Sequence, residues 1–145
     1  MRIVLDTTIL VRAASSQGLS SDLVLATITG KNSLVLSSEI LHELARVLRY
    51  PRIMRRYGLS ENRIYDFIDF LRQASQLVPL DPLLTVPIRD VNDIIVVQTA
   101  IIGAADLIAT TDQDFFEPRL VAFLQASGIA VISDVDLMEH LRQAP

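Results

Sequence analysis

The chain has 145 residues, no Cys and only two His, His42 and His140, and its 17 acidic and 13 basic side chains give a net charge of −4. This composition excludes disulfide scaffolds, thiolate zinc sites, iron–sulfur clusters, cysteine nucleophiles and multi-histidine metal sites. The pI of about 5.0, with Lys31 the only lysine, also denies the chain the bulk basic surface that draws nucleic acids by charge alone.

Ile3-Val4-Leu5 is a short apolar run and predicts a buried strand at the start of the chain. Leu19 to Ile28 has helical apolar spacing and stops at Gly30. Leu34-Val35-Leu36 predicts a second strand. Ser37 or Ser38 then opens a helix reaching about Tyr50, with Ile40, Leu41, Leu44, Val47 and Leu48 on one face. Pro51 interrupts or restarts that helix. Ser60 caps a further helix to about Ala74, and Leu77-Val78-Pro79 is a weak third strand. Asp90 caps a helix from Val91 to Ile102 that is apolar on nearly every side. Its outer face therefore needs cover from the C-terminal segments or from a second copy. Leu107-Ile108-Ala109 and Ile129 to Ile132 predict strands four and five, and a last helix starts near Asp134 behind Ser133.

Short continuous apolar runs alternating with helices predict a parallel sheet covered on both faces. The expected fold is α/β, a three-layer α/β/α sandwich around a mainly parallel sheet of about five strands, as a single domain over residues 1–145. The longest uncharged apolar stretch, Ile94 to Ala105, falls short of the ~20 residues a bilayer span needs. The first residues lack signal-peptide anatomy, so a soluble cytoplasmic protein without membrane contact is expected.

Ligands of such sheets bind beyond the carboxyl ends of the strands, where the strand order reverses. Asp6 follows the first strand, and Asp112 follows the fourth behind Thr110 and Thr111. Asp93 lies in the first turn of a helix that leaves the same edge, and Glu43 in the second turn of the helix after strand two. Each acid alone has an ordinary explanation: a helix cap for Asp6 and Asp90, a first-turn acid for Asp93, a solvated face for Glu43, a turn for Asp112 and Asp114. Those explanations leave the shared edge unaccounted for. Crowded carboxylates need a compensating cation, and oxygen ligands without His or Cys select hard ions such as Mg²⁺ or Mn²⁺. Metal-assisted hydrolysis of a phosphodiester is the chemistry such a site permits.

Val4-Leu5-Asp6-Thr7-Thr8-Ile9-Leu10 resembles the opening of PIN-domain nucleases, and Ser37-Ser38-Glu39-Ile40-Leu41-His42-Glu43-Leu44 their second motif. Asp93-Ile94-Ile95-Val96-Val97-Gln98-Thr99-Ala100 is similar to the third. Gly103-Ala104-Ala105-Asp106-Leu107-Ile108-Ala109-Thr110-Thr111-Asp112-Gln113-Asp114-Phe115 is similar to the fourth. Within that family the chain looks most like the stand-alone, VapC-like toxins of toxin–antitoxin pairs. The resemblance implies a Mg²⁺- or Mn²⁺-dependent endoribonuclease acting on RNA, a homodimer silenced by a small antitoxin protein. By match, Asp6, Glu43, Asp93 and Asp112 would be the catalytic, metal-binding acids, with Asp114 as a further ligand and Thr8 and Thr110 as auxiliaries. Thr8 stands where many members have Asn, and its hydroxyl can still bond a carboxylate or water. Arg46, Arg49 and Arg52, continued by Arg55 and Arg56, form a run that can contact RNA phosphates or an acidic antitoxin segment. The competing function is a PIN scaffold that binds without cleaving, because fold does not dictate activity. Thr8 excludes a haloacid-dehalogenase phosphatase, which needs a second Asp there. A receiver domain needs a phospho-acceptor Asp ending strand three and a late Lys, and neither is present.

Overall fold

The structure, a computed structural model, describes residues 1–143. Five strands, β1 (Arg2–Leu5), β2 (Ser33–Leu36), β3 (Gln76–Leu77), β4 (Leu107–Thr110) and β5 (Ala130–Ser133), form one sheet in the order β3-β2-β1-β4-β5. Every pairing is parallel. In β1, β2 and β4 three consecutive residues are buried (Ile3 to Leu5, Leu34 to Leu36, Ile108 to Thr110), so both faces of the sheet are covered. The covering helices are α1 (Thr7–Ala13), α2 (Leu19–Ile28), α3 (Ser38–Leu48), α4 (Pro51–Tyr57), α5 (Glu61–Ala74), α6 (Val91–Ile102), α7 (Pro118–Ala126) and α8 (Asp134–Gln143). The result is the expected three-layer α/β/α sandwich. No helix among the described residues is long and apolar enough to cross a membrane.

Local chemistry sets the helix boundaries. Ser37 caps α3 by accepting from the Ile40 amide at 3.3 Å, and Ser60 caps α5 by accepting from the Arg63 amide at 3.1 Å. Tyr50 is extended ahead of Pro51, which occupies the first turn of α4, so the proline restarts the chain as a separate helix. Gly58, at φ 62°, supplies the left-handed residue that ends α4. The faces of α3 and α5 bury Ile40, Leu41, Leu44 and Leu48 against Ile64, Ile68 and Leu71. Val47, expected among these, is only half-buried and borders the acidic cleft described below.

Two expectations need correction. The third strand is Gln76–Leu77, not Leu77 to Pro79: the Val78 amide makes the last bond, to the Leu36 carbonyl at 2.9 Å, and Pro79 has no N–H to continue. Helix α7 stands between β4 and β5 where none is expected, although Pro118 in its first turn and the Glu117 side chain, which accepts from the Leu120 amide at 3.2 Å, are ordinary start signals. Helix α6 packs against β1, β2 and β4. The segment preceding α6 is tied down by Gln98, whose Nε2 donates to the Leu84 carbonyl at 2.8 Å, and α3 packs alongside.

Gly103 ends α6 in tight contact with β2. A Cβ there would lie 2.6 Å from Val35 Cγ1 and 2.8 Å from the Thr99 carbonyl oxygen. Gly103→Ala is therefore expected to lower stability by about 1–3 kcal/mol in urea unfolding.

Candidate functional site

Chain progress reverses at β1: β2 and β3 are laid down on one side, β4 and β5 on the other. The segments leaving β1 and β4 diverge and open a crevice over their carboxyl ends. Asp6 is the first residue after β1. It stands at the start of α1. Its Oδ2 accepts from Thr110 Oγ1 at 2.7 Å, and the same Oγ1 accepts from the Asp112 amide at 2.9 Å. Asp112 Oδ1 in turn accepts from the Asp114 amide at 2.9 Å and starts a 3-10 turn, Gln113–Phe116, anchored by the fully buried Phe115. Thr110 thus fixes the end of β1 to the loop after β4.

Helix α6 delivers Asp93. Asp90 is a true cap, accepting from the Asn92 amide at 2.8 Å, and leaves Asp93 one turn in with only 9% of its surface exposed. Helix α3 delivers Glu43. The two helices are joined by Thr99 Oγ1 and Ser37 Oγ, 2.9 Å apart, so α6 is bonded to the residue that caps α3. Gln98 and Thr99 are not among the predicted site residues, and Ser37 is predicted only as a helix start. The signal of Gln98 and Thr99 is that they are polar positions in a run otherwise apolar.

Asp6, Thr8, Glu43, Asp90, Asp93 and Asp112 line one cleft of about 200 Å³. One carboxylate oxygen from each of Asp93, Asp112 and Asp114 lies within 4.8 Å of the others. The predicted acids are therefore not equivalent. Three form a close cluster, Asp6 sits in the wall bonded to Thr110, and Glu43 sits in the wall paired with Arg46. An apolar groove of about 290 Å³ bordered by Val24, Leu25, Phe67 and Phe70 lies elsewhere and holds no such cluster.

Electrostatics show the strain of this crowding. The pKa of Asp93 is pushed up to about 7, chiefly by burial and then by the charges of Asp90, Asp112, Asp6 and Asp114. Asp6 is also raised, again chiefly by burial, with Asp112 adding and the Thr110 hydroxyl opposing. All-oxygen donors in an over-charged cleft fit a hard divalent cation, which would relieve both effects.

The arginine run divides. Arg46 forms a two-pronged pair with Glu43, and Arg49 Nε meets Glu61 Oε2 at 3.1 Å while its other arm donates to the Ala45 carbonyl at 3.0 Å. These two guanidiniums serve the chain's own carboxylates. Arg52, Arg55 and Arg56 lie exposed on α4, with no ion pair among the described residues.

The family model of the PIN domain matches residues 2–114, a span that holds Asp6, Glu43, Asp93, Asp112 and Asp114. The chain belongs to the PIN domain family, whose members are in general metal-dependent nucleases. Comparisons with curated proteins and with solved structures find no match.

The raised pKa of Asp93 predicts a pH dependence for protein stripped of metal by a chelator. With a folded pKa of about 7 against an ordinary 3.8, the folded state keeps a proton that the unfolded chain gives up between those values. Stability should fall as pH rises from about 4 to about 7 and stay low above that. Thermal melts across that range check the slope, which should flatten in millimolar Mn²⁺ because the cation takes over the proton's role.

Proposed function

We propose that the protein is a divalent-metal-dependent endoribonuclease, the toxin of a toxin–antitoxin pair, that hydrolyses RNA phosphodiester bonds with Mg²⁺ or Mn²⁺. The supporting observation is the clustering of Asp93, Asp112 and Asp114 beside Asp6 in one cleft at the carboxyl edge of the sheet. When bound, the ion supplies Lewis-acid charge that activates a water and offsets the charge on the leaving oxygen. Asp93, Asp112 and Asp114 would hold it. Asp6, oriented by Thr110 and shielded from solvent, would present a fixed carboxylate to the same space. Thr8 would offer a hydroxyl to a water or phosphate oxygen, and Glu43, which lines the same cleft, would be a further carboxylate for the ion. Arg52, with Arg55 and Arg56, would contact RNA phosphates or an acidic antitoxin segment from α4. The homodimer, the small antitoxin and a cytoplasmic setting rest on the motif resemblance.

The test combines metal binding with cleavage. Mn²⁺ should raise the melting temperature, with saturation at 100 times the dissociation constant worth about 2.7 kcal/mol. Asp6→Asn and Asp112→Asn should each cut Mn²⁺-dependent RNA cleavage by about 100-fold or more while circular dichroism shows the fold retained. Full cleavage by a folded Asp112→Asn protein would reject the catalytic reading and leave a binding scaffold.

A further inference from the structure

Glu43 differs from the other cleft acids in having a basic partner. Arg46, one turn later on α3, grips both of its oxygens, NH2 to Oε1 at 2.6 Å and Nε to Oε2 at 3.0 Å. The remaining guanidinium nitrogen, NH1, is hydrogen-bonded to the Tyr50 hydroxyl, and the guanidinium carbon lies 5.3 Å from the centre of the Tyr50 ring. Arg46 is thus held from behind by an aromatic ring and a phenol while it faces the carboxylate. The Glu43 side chain is only 14% exposed and borders the cleft, yet neither of its oxygens belongs to the close cluster of Asp93, Asp112 and Asp114.

We propose that Arg46 is a positioning residue, an internal counter-ion that occupies Glu43 and competes for it with the cation of the cleft. This rests on the reading of the cleft as a cation site. A carboxylate whose two oxygens are both engaged by a guanidinium fork has to give up at least one of those bonds before it can serve a cation. Because the Arg46 side chain is 51% exposed, the pair is weak enough to be displaced. The competition should therefore cost about two- to fivefold in cation affinity. Lysine cannot reproduce the fork, so the restraint depends on arginine at this position.

The experiment titrates Mn²⁺ into the full chain and follows the spin-resonance signal of free aqueous Mn²⁺. It compares the wild type, Arg46→Ala, Arg46→Lys, Glu43→Gln and the Arg46→Ala/Glu43→Gln double variant, with circular dichroism of each. Arg46→Ala should tighten Mn²⁺ binding about two- to fivefold, and Arg46→Lys should fall between it and the wild type. In the Glu43→Gln background the same alanine substitution should change affinity less than about twofold, since only a nearby positive charge is then lost. Equal tightening in both backgrounds, or unchanged or weaker binding in Arg46→Ala, overturns the proposal while leaving the cation site standing. Absence of Mn²⁺ binding in the wild type and every variant overturns the cation reading together with it. Should Arg46→Ala fail to fold, Arg46→Lys decides: affinity no tighter than wild type rejects the competition.

Discussion

Carboxylates gathered in one cleft repel one another, and the rest of the fold has to hold them together against that force. In this protein the restraint begins with a single hydroxyl. Thr110, buried at the end of β4, donates to the Asp6 carboxylate at the end of β1 and accepts the Asp112 amide. One side chain thereby fixes the spacing of two acids that lie 106 positions apart in number. Thr110 is the largest contributor among the hydrogen-bonding groups that offset the desolvation of the buried Asp6 carboxylate. The parallel sheet makes this possible, because neighbouring strands end at the same edge and their first loop residues meet there.

The other acids arrive on helices, and those helices are pinned by polar contacts that the apolar core cannot supply. Hydrophobic packing is non-directional and sets how near α6 comes to the sheet, with Gly103 leaving room for Val35 of β2. It does not set the rotation that turns Asp93 toward Asp112. The Gln98 bond to the Leu84 carbonyl and the contact of Thr99 with Ser37 do that, and the second also ties α6 to the start of the helix that bears Glu43. On the far side, Arg63 of α5 donates to the Ala14 carbonyl at 2.9 Å and 3.2 Å, closing the C-terminal end of α1. The N-terminal end of the same helix begins beside Asp6.

Most of the architecture was legible in the sequence because buried parallel strands read as short apolar runs and most helices announce their caps. Ser37, Ser60, Asp90 and Ser133 all act at or next to the predicted starts. The shared edge of Asp6, Glu43, Asp93 and Asp112 followed from strand ends alone. What the sequence did not reveal is which partner each polar group chooses. Asp6 and Asp90 precede helices alike, yet one bonds across the sheet and the other caps. Arg46 and Arg49 look like a free basic face, but Glu43 and Glu61 neutralise them. Such choices depend on distances between segments far apart in the chain, which periodicity does not encode. The α7 helix is hidden for a different reason: only Ser127 and Gly128 separate its last residue from Ile129 and β5.

The two-residue strand β3 bears on how copies of the chain meet in solution. A sheet edge with a long row of free amides and carbonyls recruits other chains by backbone pairing. Here that edge is Gln76–Leu77, both exposed, and it is closed within two residues by Pro79, which has no amide hydrogen to offer. Arg2 reaches across to hydrogen-bond the Gln76 side chain, setting a charged group near the same edge. A newcomer strand would find almost nothing to zip onto. A chain whose residues are half hydrophobic thereby has one route to aggregation through this edge shut by the shortness of a strand.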